Sequence, residues 1–406
     1  MAELALGFPF AGALVGSLLR RRHRLALLAC LAFGLAGLVA AVTARPERAT
    51  LAGLDFQLAA PVQAILVVSF LAAGLAVLLA PAGADRVALA VSGLGGLAAI
   101  AAVAVLGNPV LVALAVLLTA GVHAALPALR SFGERVRAPA FGALLLVLAA
   151  LLTAGTGSLA GARIAGLALV LGVTAAIGLA PFLGALDPRE PAPASPVAWL
   201  GFLGPTLVVV MATRLSGGLS AEAGDAYAAV LIGLGIFNLG LGALGGWRSK
   251  PGADLWRYSF LGDWGLVLVG LGLLSRDGFG AASLLLVSIL LLRLPLYLLA
   301  RPALVKTGRP ELHAAGLLVA AALAGSAPFA GFAARLLLLR SASAVAWPLA
   351  LFLAVAMLSW LPLSIRLAQT FGRPSRRVTF GVALLLVINL AVGLYPAFIL
   401  KLVGAS

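Results

Sequence analysis

Apolar runs of about twenty residues, one after another with few polar residues inside them, decide what this chain can become. A helix of that length matches the hydrocarbon thickness of a bilayer, and in lipid only helices and closed barrels satisfy their own backbone. Such runs lie at roughly 4–19, 25–43, 60–80, 87–106, 109–128, 139–157 and 163–182. Others follow at 196–213, 227–246, 258–275, 280–299, 313–340, 345–366 and 378–398. With 63% of 406 residues hydrophobic and 10% charged, no soluble core could hide them. The expected fold class is an all-α polytopic membrane protein of about fourteen transmembrane helices.

The formal charge of +15 would suggest nucleic acid in a soluble protein. Here the Lys and Arg sit mostly in short turns between apolar runs, so no nucleic-acid partner is expected and the charge reads as a topology signal. Alternate turns carry Arg20–Arg22, Arg24, Arg86, Arg130, Arg135, Arg137, Arg189, Arg248, Lys250, Arg257, Arg301, Lys306, Arg309, Arg366, Arg373, Arg376 and Arg377. The opposite turns hold only Arg45, Arg48, Arg163, Arg214, Arg276, Arg340 and Lys401. The rich face is expected in the cytoplasm, with both termini on the non-cytoplasmic side of the cell inner membrane. No cleavable signal is expected, because the first run is followed by RRRHR and a second run. The polar segments are short. Thr43–Ala59 is one, and the proline-rich Leu183–Ser195, read as a rigid loop, is the other.

The run Leu323–Leu339 departs from the rest: Gly325, Pro328 and Gly331 break it, and Arg335 follows. A broken helix in a membrane is tolerated only inside protein or against a wet cavity, so a function is the default reading. Ala180–Pro181–Phe182 repeats the triplet Ala327–Pro328–Phe329 in a run of opposite sense, as in an inverted repeat. The expected organisation is a single membrane domain with N-terminal helices at 1–82 and repeats of five helices at 85–215 and 225–368. A last helix then occupies 378–406.

Charges inside spans are the other candidates. Arg335 reads as a fixed charge on a central polar axis or as a snorkelling residue at a helix end. Arg293, mid-span before Pro295, calls for a buried partner or a wet cavity, and Asp263 is a candidate partner. Asp263 opens its expected span, where an acid suits the positive helix N-terminus; a titrating role is the alternative. His123 is a packed histidine or a titratable group. Thr206, behind Pro205, reads mainly as packing. The single cysteine, Cys30, and three scattered histidines give no disulfide, no metal site and no Cys pair.

On these residues the chain resembles the antiporter-like, proton-conducting membrane subunits of respiratory complex I and their Mrp antiporter and membrane-hydrogenase relatives. LAGSAPFAGFAAR is similar to the family's S-L-A-G-x-P-P-x-x-G-F-x-x-K. IGLAPFLGALDPREPAPASPV resembles its proline-rich broken helix and following loop, with Pro181 and Pro196 at the family spacing. FNLGLGALGGWRSKPGADLWRYSFLGDWG resembles the stretch ending Y-S-S-I-x-H-x-G, with Tyr258, Ser259 and Gly265 in place. SWLPLSIRLAQT and INLAVGLYPAFI look like its last two helices, and Arg366 matches an arginine there, although an interfacial anchor explains it equally well. The likeness runs from about 62 to 398, and with an end at Ser406 the long lateral helix of the largest members is expected to be absent.

The resemblance implies a central row of proton-exchanging charges, and here the chain departs from the pattern. The acid of the fifth helix falls at Leu118, the lysine before Pro-Phe at Ala176, and the lysine after a proline at Thr206. The histidine of the tenth helix is Asp263, and the lysine after the second break survives only as Arg335. Leu and Ala cannot relay a proton, and arginine does not deprotonate in proteins. The expected function is an antiporter-like subunit of a complex I-type or related ion-translocating complex, impaired in its own pumping and partly structural. The alternatives are proton or Na+ movement along a rewired path through Asp263, Arg293, Arg335 and waters, or a scaffold role in a hydrogenase-type or inorganic-carbon complex. The partners implied are other membrane subunits and the lipid bilayer. No catalytic residue, cofactor or redox centre is expected in this chain.

Overall fold

The computed structural model describes residues 2–404 except 46–47, 52–53, 81–83, 126–131, 156–157, 183–195, 216–220, 306–313 and 372–374. The proline-rich segment 183–195 therefore lies outside the described residues. The chain divides into two compact units, one of residues 1–184 and 190–226, the other of 185–189 and 227–406.

In unit 1 the helices are α1 (Ala2–Leu18), α2 (His23–Thr43), α3 (Ala60–Leu79) and α4 (Ala84–Val105). They are followed by α5 (Pro109–Ala125), α6 (Phe132–Gly155), α7 (Leu159–Ile177) and α8 (Pro196–Val210). The polar segment after α2 is not simply a loop. It folds into a hairpin of β1 (Arg48–Leu51) and β2 (Leu54–Gln57), whose Asp55 carbonyl accepts from the Gly107 amide at 2.8 Å. Small residues let helices close up where a Cβ would not fit. A Cβ on Gly142 of α6 would lie 2.5 Å from the Gly172 carbonyl oxygen and from the Ala176 nitrogen of α7.

α9 (Ala221–Arg248) crosses the boundary between the units. Unit 2 then holds α10 (Ala253–Gly272), α11 (Arg276–Ser288), a π-helical turn (Ile289–Arg293) and α12 (Leu294–Val305). α13 (Ala314–Ala324), α14 (Ala330–Val345), α15 (Trp347–Ala368), α16 (Arg376–Leu394) and the short α17 (Pro396–Leu402) complete it. α10 lies against the unit 2 part of α9 through glycines: a Cβ on Gly265 would meet the Gly235 carbonyl oxygen at 2.7 Å. Among the described residues, nine helices are long and apolar enough to cross a membrane. The most buried of these is the continuous Arg276–Val305 rod. The chain is an all-α polytopic membrane protein.

Two helices stop in the same way. α7 ends at Gly178 (φ 83°) and α13 at Gly325 (φ 65°), the left-handed conformation that glycine adopts without cost. The next amide folds back five residues in each, Leu179 to the Thr174 carbonyl and Ser326 to the Ala321 carbonyl, both at 2.9 Å. Phe182 then bonds the Leu179 carbonyl, and Phe329 the Ser326 carbonyl. The Ala180–Pro181 and Ala327–Pro328 peptides are both cis. The shared unit is thus Gly-x-Ala-Pro-Phe, two residues longer than the triplet.

Candidate functional site

The polar centre of unit 2 is assembled from three helical rods. α10 presents Ser259 and Asp263, four residues apart and so on one face. Arg293 ends the π-helical turn. The cause of that turn is local: Pro295 carries no amide, and its ring crowds the carbonyl four residues back. The Leu294 amide accordingly bonds the Ile289 carbonyl, five residues earlier. The third contribution is backbone from α13.

Arg293, only 5% exposed, uses its guanidinium in three directions. Nε pairs with Asp263 Oδ2, Nη1 donates to Ser259 Oγ at 2.6 Å, and Nη2 donates to the Leu323 carbonyl at 3.0 Å. That carbonyl belongs to the last turn of α13, where four acceptors lose their helical partners. The Ala321 and Ala322 carbonyls are taken by the amides of Ser326 and Gly325. Arg293 takes the next one, so the cation closes the helix end as well as pairing the acid.

Asp263 lies in the middle of α10, not at its start. The helix begins at Ala253 because Trp256 and Phe260, fully buried, extend the packed face toward its N-terminus. The capping reading of Asp263 is thereby overturned: at 8% exposure its neighbour is Arg293, not a helix terminus.

Arg335 sits on α14 directly over the break. A Cβ on Gly325 would come within 2.6 Å of its Nη1 and 2.7 Å of its Cζ, so the guanidinium rests on bare glycine backbone. Gly331 packs on the same spot, its own Cβ position being 2.9 Å from the Gly325 Cα. Asp263 and Arg293 are the charges whose field Arg335 feels. Its Nε is buried without a hydrogen-bond partner. On the far side of the break, the Ala330 amide donates to Asn389 Oδ1 at 3.3 Å, which caps α14 from α16.

Arg366, singled out by resemblance, does something else. It donates to the carbonyls of Gly246 and Trp247 at 3.1 and 3.3 Å, and to that of Ser249, closing the end of α9. A cation there complements the helix dipole.

Among the described residues, unit 1 offers no comparable constellation. Its buried polar side chains among the described residues are Ser69, Thr174 and Thr206. Ser69 and Thr174 bond carbonyls of their own helices, whereas the Thr206 hydroxyl, fully buried on α8, has no partner. Ala176 is fully buried at the α6–α7 contact. Leu118 is 71% exposed on α5, whose inward face is made by Val112, Ala113, Val116 and Ala120. His123 lies near the end of α5, and its side chain is outside the described residues. Pro181 follows the end of α7.

Of the residues singled out in the sequence, Asp263, Arg293, Arg335, Pro328 and Gly331 come together in unit 2. Leu118, Ala176, Thr206 and Pro181 belong to unit 1 and form no cluster of charge. Ser259, the Leu323 carbonyl and Asn389 were not marked as site residues. The signal for Ser259 was its spacing of four from Asp263; a backbone carbonyl leaves no such signal.

No protein-family model matches the chain, and no curated protein matches it in sequence. Solved structures do. A chain in the structure of the Mrp complex from Dietzia sp. DQ12-45-1b superposes with TM-score 0.82 at 19% identity, over 100% of this chain and 51% of that one. The present chain thus spans about half the length of that Mrp chain. The membrane-bound sulfane sulfur reductase, an archaeal respiratory membrane complex, gives TM-score 0.78 at 18% identity, over 98% of this chain and 77% of the other. Respiratory complex I from Thermus thermophilus with bound NADH gives 0.73 at 19% identity, over the whole of both chains. The fold is therefore one shared by membrane chains of these three multisubunit complexes.

Proposed function

We propose that this chain is an antiporter-like membrane subunit of a complex I-type or related ion-translocating complex. In this reading its own proton path is impaired and its role is partly structural. One observation carries it: the buried acid of unit 2 is held by Arg293, while the described core of unit 1 contains hydroxyls but no charge. Taking Asp263 out of the pair would leave Arg293 buried without its counter-charge, which costs about 3–5 kcal/mol. An acid so disfavoured from changing state by more than about a hundredfold is a poor relay. The shared fold supports assembly with other membrane subunits, and the arginine-rich turns support a cytoplasmic-membrane location with both termini outside.

One observation favours a second reading, conduction of protons or Na+ along a rewired path. The buried, unpaired Nε of Arg335 is a place where water could continue past the break. Purification of the full chain from membranes in mild detergent tests the subunit reading. Co-purification of other membrane subunits in fixed ratio is the expected result; a homo-oligomer with no other chain contradicts it.

A further inference from the structure

Within unit 1, α2, α3 and α4 enclose an apolar cavity of about 340 Å³. It runs from Cys30 to Leu38 on α2, from Phe70 to Leu78 on α3 and from Ala90 to Leu97 on α4, a length of ~11 Å at helical rise. Leu31 and Leu78 remain exposed, so the cavity opens on the outer surface of the unit. Its width comes from glycine. Gly34, Gly74 and Gly93, one on each helix, belong to its wall. A Cβ on Gly74 or Gly93 would touch nothing within 4 Å, and one on Gly34 only Leu94 Cδ2 at 3.5 Å.

The mouth of this cavity is cationic. Arg20, Arg21, Arg22 and Arg24 lie in the turn before α2 and at its first residues, all exposed. Arg24 is six residues, or ~9 Å of helix, from the wall residue Cys30. Arg86, on the first turn of α4, donates to the carbonyls of the wall residues Val77 and Leu78 at 2.9 and 3.2 Å. The α1 end adjoins the same region: a Cβ on Gly16 would strike Cys30 Sγ. An apolar slot excludes water and accepts hydrocarbon, and the planar guanidinium of arginine binds phosphate oxygens through paired hydrogen bonds.

We propose that this cavity holds an acyl chain of an anionic phospholipid whose phosphate group is bound by the arginines at its mouth. The full chain, purified in mild detergent and stripped of loose lipid, is titrated with dioleoyl phosphatidylglycerol or dioleoyl phosphatidylcholine and read by native mass spectrometry. Wild type retains one phosphatidylglycerol in preference to phosphatidylcholine. Gly74→Leu and Gly93→Leu place side chains in the slot at two positions where a Cβ meets nothing within 4 Å, and leave every charge in place. They lower retention of phosphatidylglycerol about tenfold or more, because several methylenes lose their site. Changing Arg20, Arg21 and Arg22 to Gln reduces the preference for the anionic lipid by about fivefold for each charge that acts. Unchanged retention in both glycine variants overturns the proposal. So does equal retention of the two lipids by wild type, or loss of a protein partner in the glycine variants with no lipid bound.

Discussion

Arg293 donates to the carbonyl of Leu323, two residues before the glycine at which α13 breaks. The break in unit 2 is thus not an isolated backbone feature. Its loose acceptor is held by the same side chain that holds Asp263 and Ser259. Charge pairing and helix ending are one structure, and disturbing either disturbs the other.

The first prediction concerns that coupling. Arg293→Leu leaves Asp263 buried alone and an acceptor open, and lowers stability by about 3–5 kcal/mol. Asp263→Asn in the same chain restores a large part of the loss, since a neutral amide needs no counter-charge. Thermal unfolding in detergent of the two single variants and the double variant reads the interaction directly.

The second concerns Gly325. A side chain there meets both a left-handed backbone and the guanidinium of Arg335. Gly325→Ala costs about 1–2 kcal/mol from the backbone alone, with a further loss from displacing Arg335. Gly325→Ala combined with Arg335→Ala recovers that further loss and leaves the backbone part. Equal destabilisation with and without Arg335 would show that the two do not touch.

Placing a lysine in unit 1 where the sequence resemblance would put one is the third test. Ala176→Lys puts an ammonium into a fully buried contact with Gly142 of α6, with no acid described in that core. The expected result is poor insertion or a loss of several kcal/mol, not recovered conduction. A folded, stable variant would show that the α6–α7 contact can open.

How much of this could be read from the sequence depends on what kind of atom carries the information. Gly325, Pro328 and Pro181 were legible because missing Cβ atoms and missing amides act on the backbone wherever they occur. Arg293 and Asp263 were legible because a charge within an apolar run needs a reason. The depth of Asp263 was not. The apolar run read from the sequence starts only at Tyr258, and the burial of Trp256 places the helix start further back, at Ala253. The orientation of Leu118 was equally hidden, since α5 is apolar all round and no periodicity marks its inner face. The β-hairpin after α2 was missed because four-residue strands in a polar segment carry too little pattern.

The central claim of the proposal is that the chain's own proton path is impaired. Its most direct measurement uses the purified full chain in proteoliposomes enclosing a pH-sensitive dye, with a proton gradient imposed in either direction. The account predicts a flux equal to that of protein-free liposomes, and no change on Asp263→Asn. A flux above that background which Asp263→Asn abolishes would contradict it, and would make the Asp263–Arg293 pair a working gate.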